Sequence, residues 1–130
     1  MSPLRFTVFP GSFAVLRLGP DADVPVNLLT PPFHSVTRTP AELSVVCPEG
    51  AVPDGARAET GWALIALAGP FPFEMVGVLS SILEPLAAAG VSIFALSTFD
   101  TDYVLVKRER LADAVGALSA AGHERVEAGT

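Results

Sequence analysis

The stretch that decides the fold is SIFALSTFDTDYVLV, residues 92–106. Two apolar runs flank a short polar segment, which is the pattern of an antiparallel β-hairpin. We predict strands at about residues 92–97 and 103–107. Neighbours such as Phe94 and Ala95 point to opposite faces of a strand, so both faces of this hairpin are apolar. Both faces therefore need cover, because large exposed apolar patches are rare on soluble monomers.

The segments around the hairpin predict a ferredoxin-like, α+β fold. An apolar strand at 62–68 is followed by apolar residues at helical spacing up to about residue 89. Pro85 lies inside this predicted helix, where it removes one backbone hydrogen bond and favours a bend or a loosened turn. A second helix is predicted at 111–121 and a short strand at 124–127. The resulting order is β-α-β-β-α-β.

The first half of the chain is similar to the second half. SFAVLRLGP (12–20) matches GWALIALAGP (61–70), and SVTRTPAELSVVCPE (35–49) matches ALSTFDTDYVLVKRE (95–109) at a constant offset of 60. Two matches in the same order indicate an internal repeat.

The two copies differ at the places where helices belong. There the first copy has only short segments rich in proline and glycine, which are typical of loops. We therefore predict a module of residues 1–60 that is mostly strands, and a complete module of residues 61–130. An extra strand, RFTVF, precedes the first copy.

Composition argues against several classes of partner. The 130-residue chain has a net charge of −6, and its 8 basic residues are scattered, whereas nucleic-acid binding needs a basic surface. No apolar run reaches the roughly 18 residues of a membrane span. The first residues also lack the pattern of a signal peptide, so a cytoplasmic location without a membrane partner is expected. The lone Cys47 lies in an apolar strand and is expected to be buried and structural.

Two segments carry residues that could bind a ligand, and each has a structural alternative. Asp100 and Asp102 in the hairpin turn could hold an ammonium group, although their spacing alone favours ordinary turn chemistry. The segment AGPFPFEMVG (68–77) could form an anion site from backbone N–H groups at a helix start, with Gly77 allowing close approach. A rigid connector explains that segment equally well.

The sequence offers no support for catalysis. Ser80, Ser81 and Ser97 have no adjacent histidine, and neither histidine has metal-ligand spacing to the two turn aspartates. We therefore expect no catalytic residues, no metal site, no cofactor and no enzyme activity.

The segment LEPLAAAGVSIFALSTFDTDYVLVKRERLADAVGALSAAG (83–122) is similar to an ACT domain. It resembles in particular a branch of small bacterial proteins with two ACT-like modules, the first degenerate, and the related cytosolic arginine sensors of animals. Together with the repeat, the resemblance covers about residues 12–127. ACT domains fold as βαββαβ, commonly bind amino acids between modules, and usually regulate a fused or partner protein.

The resemblance also implies ligand-binding positions. These lie at the start of the first helix and in the hairpin turn: Met75, Val76, Gly77, Val78, Thr98, Phe99 and Asp102. In this family pattern, backbone N–H groups near Gly77 would bind a carboxylate, Asp102 a cationic group, and Phe99 would form an apolar wall. The arginine sensors contain further modules that supply part of the pocket, so this shorter chain would need to dimerise.

Two functions are consistent with these observations. The first is a regulatory sensor that binds a free amino acid, forms a homodimer and acts on an unidentified protein. The second is a structural or protein-interaction module whose pocket is vestigial. The sequence identifies neither the ligand nor the regulated partner.

Overall fold

A computed structural model of the chain describes residues 3–127. These residues form two compact units. Residues 11–62 are called here the strand unit. The rest of the described chain, up to Pro10 and from Ala63 onward, is called the helical unit. The predicted module boundary between residues 60 and 61 falls near this division and stays a prediction.

The described chain contains eight strands and two α-helices. In chain order these are β1 (Arg5–Val8), β2 (Phe13–Leu18), β3 (Ser35–Arg38), β4 (Leu43–Pro48), β5 (Ala58–Leu67), α1 (Val78–Ala88), β6 (Ile93–Ser97), β7 (Asp102–Lys107), α2 (Leu111–Ala120) and β8 (Glu124–Arg125). Three short 3-10 segments lie at Val26–Leu28, Glu49–Ala51 and Arg108–Arg110.

The helical unit confirms the predicted ferredoxin-like order. The last part of β5 is followed by α1, β6, β7, α2 and β8, and the strands lie side by side as β6-β7-β5-β1-β8. β1 pairs antiparallel with β5 and parallel with β8, so the sheet is mixed. The sequence predicted β1 as an extra strand but did not predict that it lies between the first and last strands of the βαββαβ set.

The core of the helical unit lies between one face of the sheet and the two helices. α1 buries Val78, Ile82 and Leu86, which recur every four residues along one side of the helix. They pack with buried strand residues such as Val104 and Val106. Fully burying a Val, Leu or Ile side chain contributes about 1.5–3 kcal/mol, so this face holds the helices in place.

The pairing of β6 with β7 determines which side chains face the helices. Ser97 lies opposite Asp102, and the pairing continues down both strands to Ile93 opposite Val106. Because side chains alternate along a strand, Asp102 lies on the same face as Val104 and Val106. The opposite face carries Leu105, which is fully buried, and Tyr103, whose ring packs edge-on against Phe9 with centroids 6.4 Å apart.

The strand unit has a separate small core and lacks an α-helix throughout residues 11–62. β3, β4, β2 and the first part of β5 pair antiparallel in that order. Side chains from β2 and β4, including Leu16, Leu43 and Val45, form its core together with Leu28. This agrees with the prediction of a first half made mostly of strands.

Cys47 is buried in the core of the strand unit, as the sequence predicted. Burial raises the pKa of its thiol, because the charged thiolate is poorly solvated there. The thiol is therefore protonated at neutral pH and poorly reactive.

A buried histidine bonds to the carbonyl that Pro85 leaves unpaired in α1. In a regular helix the carbonyl of Ser81 accepts from the N–H of residue 85, but proline has no N–H. His123 Nε2 lies 3.0 Å from this oxygen. The other ring nitrogen, Nδ1, accepts from the backbone N–H of Leu4 at 3.0 Å. The ring is thus the neutral tautomer with its hydrogen on Nε2, and it joins α1 to the chain just before β1.

We predict that His123→Phe destabilises the protein by about 1–3 kcal/mol for each of the two backbone groups that it leaves buried and unpaired. Pro85→Ala should recover part of this loss, because alanine at that position restores an N–H for the Ser81 carbonyl. Urea unfolding of the wild type, both single variants and the double variant checks this. If Pro85→Ala raises the free energy of unfolding equally in the wild type and in the His123→Phe variant, the proposed pairing is contradicted.

We also predict that Cys47 does not react with a thiol reagent while the strand unit is folded. The physical reason is burial, together with the small thiolate fraction that follows from the raised pKa. The labelling rate should rise in urea together with unfolding. Rapid labelling of the native protein would show that the thiol is accessible.

Candidate functional site

A cavity of about 330 Å³ lies in the helical unit between the β5–α1 connection and the β6–β7 turn. All seven residues that the sequence analysis selected line it. The lining residues are Phe71, Pro72, Phe73, Met75, Val76, Gly77, Val78, Leu79, Ser80, Ser97, Thr98, Phe99, Asp100, Thr101 and Asp102. Their role in binding stays a prediction, but the structure places them around one space.

The start of α1 exposes backbone donors to this cavity. Gly77 precedes the helix with a φ of 82°, a conformation that glycine adopts without strain, and no side chain caps the helix. The first helical bond runs from Ser81 N to Gly77 O (3.0 Å), so the N–H groups of Val78, Leu79 and Ser80 have no acceptor within the helix. The hydroxyls of Ser80 and Ser81 donate backwards to carbonyls and leave these N–H groups uncapped.

The other end of α1 has side-chain partners. The Arg110 guanidinium donates to the carbonyls of Ala89 (3.2 Å) and Gly90 (3.3 Å), and it also bonds Asp113 (3.0 Å). A cation at a helix C-terminus is favourable because the helix dipole is negative there. The positive end of the same dipole faces the cavity, its first turn carries no acidic residue, and it could hold the carboxylate of a small molecule.

The backbone N–H of Met75 already has a partner. It donates to Pro72 O at 3.0 Å and closes a turn. The donors without a helical acceptor therefore begin at Val78, beyond Gly77. The two prolines of the connection shape the turn and supply no N–H groups.

Asp102 presents a fixed carboxylate on the helix-facing side of the hairpin. The hydroxyl of Ser97, directly opposite on β6, donates to Asp102 Oδ1 at 2.5 Å. In the described structure no side chain donates to the second carboxylate oxygen, which can accept from a cationic group. Asp102 and Asp100 are the only charged residues of the lining, so the cavity walls contain no lysine, arginine or histidine.

Two phenylalanines form an open apolar rim. The rings of Phe73 and Phe99 meet edge to face with centroids 4.8 Å apart. Both are unusually exposed, at 72% and 77%, and Val76 beside them is 85% exposed. Phe99 thus lines the cavity as a rim residue open to solvent, and its role as an apolar wall for a ligand stays a prediction.

Sequence reasoning did not single out seven of the lining residues: Phe71, Pro72, Phe73, Leu79, Ser80, Ser97 and Thr101. Ser97 had a usable signal, since it ends the first predicted strand and Asp102 directly precedes the second, which brings the two close together. Phe73 had no signal in the sequence, because its contact with Phe99 joins two loops that are distant along the chain.

The described residues give no sign of a metal site or a membrane span. Within residues 3–127, no group of three or more His, Cys, Asp or Glu side chains is arranged to hold a metal ion. In the same range no helix combines the length and apolar character needed to cross a membrane.

Comparison with known proteins identifies the family. A model described as an ACT domain matches residues 57–120, a range that includes β5, α1, β6, β7 and the whole lining of the cavity. Residues 57–120 belong to the ACT-domain family. A second family model, described as an N-terminal domain, matches residues 11–55, which lie in the strand unit.

Curated relatives of this ACT protein include longer chains. It is 29% identical over 92 residues to the human protein CASTOR3P, a match that covers 61% of this chain and 56% of that one. It is 33% identical over 58 residues to the human cytosolic arginine sensor for mTORC1 subunit 1, covering 44% of this chain and 18% of the sensor. The matched segment therefore spans about half of the first relative and less than a fifth of the second.

Solved structures agree with the ACT fold. Protein Atu0741 from Agrobacterium tumefaciens superposes with a TM-score of 0.92 at 32% identity, covering 100% of this chain and 97% of that one. The regulatory subunit of aspartate kinase from Thermus thermophilus superposes with a TM-score of 0.61 at 14% identity, covering 85% and 92%. The second likeness concerns the fold alone.

Proposed function

We propose that this protein is a regulatory sensor without catalytic activity, and that it binds a free amino acid in the cavity between α1 and the β6–β7 turn. A backbone cradle at the start of α1 binds the carboxylate, and Asp102 binds a cationic group. The protein acts on another protein, whose activity it regulates. The location is the cytoplasm, in keeping with the name of the cytosolic sensor that it resembles.

The observation that carries this proposal is that backbone donors and a carboxylate line one cavity. The uncapped N–H groups belong to Val78–Ser80 at the start of α1, and the carboxylate is that of Asp102 in β7. A zwitterion complements both, whereas a ligand with negative charge alone would face two aspartates without a basic residue nearby. The rim of Phe73 and Phe99 can cover the apolar part of a side chain.

The family supports a binding role rather than chemistry. The ACT-domain match includes all seven predicted residues, and a matched relative is named as an arginine sensor. The lining offers serine hydroxyls, but no histidine to activate them. These observations leave the identity of the amino acid open.

One observation favours a protein-interaction module as the second candidate. Phe73, Val76 and Phe99 are each more than two-thirds exposed around the cavity. Exposed apolar groups of this kind are typical of protein-binding surfaces. The same residues support our proposal that the protein self-associates as a homodimer, since two-fold dimers are the commonest homo-oligomers.

We further propose that the strand unit is a degenerate ACT-like module. The turns of its β3–β4 hairpin and of the β6–β7 hairpin have the same bonding. Thr39 donates through N and Oγ1 to the carbonyl of Glu42 (2.9 and 3.4 Å), and Thr98 does the same to Thr101 (2.8 and 3.2 Å). The turns correspond at an offset of 59 residues, one less than the offset from sequence matching.

We predict that at least one of the twenty common amino acids, tested singly at millimolar concentration, raises the melting temperature. A ligand that binds only the folded state stabilises it by about 2.7 kcal/mol when its concentration is a hundred times Kd. Each kcal/mol raises the melting temperature by about 2–8 °C. Asp102→Asn and Gly77→Leu should lose most of the shift. The first removes a charge, and the second cannot easily adopt a φ of 82° or allow close approach.

Asp54→Asn is the matched control, because it removes one exposed carboxylate from the strand unit and should keep the shift. If no amino acid shifts the wild type, the interaction-module function is favoured instead. If an amino acid shifts the wild type and both site variants equally, the ligand binds elsewhere.

We predict a dimer mass for the wild type at micromolar concentration in multi-angle light scattering. The variant Val76→Ser with Phe99→Ser should shift the protein toward the monomer, because it removes exposed apolar area that we expect the dimer to bury. A monomer mass for the wild type would contradict the proposed self-association.

A further inference from the structure

The two segments that form the cavity are joined by a contact between the end of β5 and the β6–β7 turn. Thr101 Oγ1 donates to the carbonyl of Leu67, the last residue of β5, at 2.8 Å. The N–H of Phe71 donates to the carbonyl of Asp100, also at 2.8 Å. The turn is therefore tied at two consecutive residues to the segment that leads into α1.

Gly69 allows this contact because it has no side chain. A Cβ at this position would lie 2.7 Å from the carbonyl oxygen of Asp100 and 2.9 Å from Cβ of Thr101. The nearer of these atoms belongs to the backbone, so any larger residue would push the turn away from β5. Glycine is therefore required here by close approach of two backbone segments.

The contact lies next to both halves of the proposed ligand site. Thr101 directly precedes Asp102, whose carboxylate lines the cavity. On the other side, the chain runs from Gly69 through Phe71 to Gly77 and the uncapped start of α1. The position of the turn on β5 thus sets the separation between the carboxylate and the backbone donors.

We infer that Gly69 and Thr101 are positioning residues of the amino-acid site, and that their contact determines which separation of charged groups a ligand must have. This inference rests on the proposed function. The two residues act through Asp102 and the start of α1, because neither is the charged or hydrogen-bonding partner that we assign to the ligand.

The Thr101 hydroxyl is separate from the packing of the helical core. Neither Gly69 nor Thr101 is among the side chains of that core, although Phe71 packs against it. Removing the Thr101 hydroxyl should therefore loosen the turn while the fold persists. This makes the inference testable by binding in a folded protein.

The experiment compares Thr101→Val with Thr101→Ser. Valine removes the hydroxyl that bonds Leu67 and keeps the shape, whereas serine keeps the hydroxyl. Thr37→Val, at an exposed position on β3, is the matched control for the loss of a threonine hydroxyl. Isothermal titration with each of the twenty common amino acids gives the Kd for every variant, and circular dichroism verifies the fold.

We expect Thr101→Val to raise the Kd of the tightest wild-type ligand roughly threefold to tenfold, as loss of one hydrogen bond implies. It should also alter the order in which longer and shorter ligands rank by affinity. Thr101→Ser and Thr37→Val should bind like the wild type. Gly69→Ala should weaken binding more than Thr101→Val, because it displaces the turn. If Gly69→Ala does not fold, the comparison of Thr101→Val with Thr101→Ser tests the positioning role by itself.

Two negative outcomes have different meanings. If the wild type binds no amino acid, the proposed function fails and this inference fails with it. If the wild type binds one but Thr101→Val binds it with the same affinity and ranking, the positioning role is wrong and the proposed function stands.

Discussion

The register between β6 and β7 is the constraint on which the helical unit depends. Ser97 pairs with Asp102, and this pairing puts Val104 and Val106 against the helices. A slip of β7 by one residue would turn Val104 and Val106 to the opposite face, put Tyr103 and Leu105 against the helices, and move Asp102 away from α1. The observed register is therefore the one that packs the valines in the helical core, and the same register places the carboxylate. The β6–β7 register therefore determines both the packing of the core and the geometry of the candidate site.

α1 contributes both to the hydrophobic core and to the candidate site, because its two ends differ in their hydrogen bonding. The carbonyls of Ala89 and Gly90, directly after its C-terminal end, bond to Arg110, and the interior carbonyl left unpaired by Pro85 bonds to His123. Only the first turn has uncapped donors, behind Gly77. Because the rest of the helix is held by packing and by these two side chains, its start can stay open at little cost. A binding site on a rigid element of this kind keeps its geometry without a ligand.

Much of the helical unit could be predicted from the sequence, because local patterns determine it. The polar turn between two apolar runs gave the hairpin, and apolar spacing gave α1. The ACT resemblance selected Asp102 and the Gly77 region, and the structure places both around one cavity. What could not be predicted depends on contacts between distant segments: the place of β1 in the sheet, the bond from His123 to Ser81, and the meeting of Phe73 with Phe99. No local pattern encodes such contacts.

The proposed repeat accounts for a single site in a chain with two modules. At the offset of 59 given by the two threonine turns, the position of Asp102 corresponds to Leu43, which is fully buried in the core of the strand unit. The described strand unit also has only the short 3-10 segment Val26–Leu28 between its first two strands, so it offers no α-helix N-terminus. The strand unit, which we propose is a degenerate module, thus lacks both the carboxylate and the backbone donors. At the position of the carboxylate it has an apolar side chain that packs in its own core.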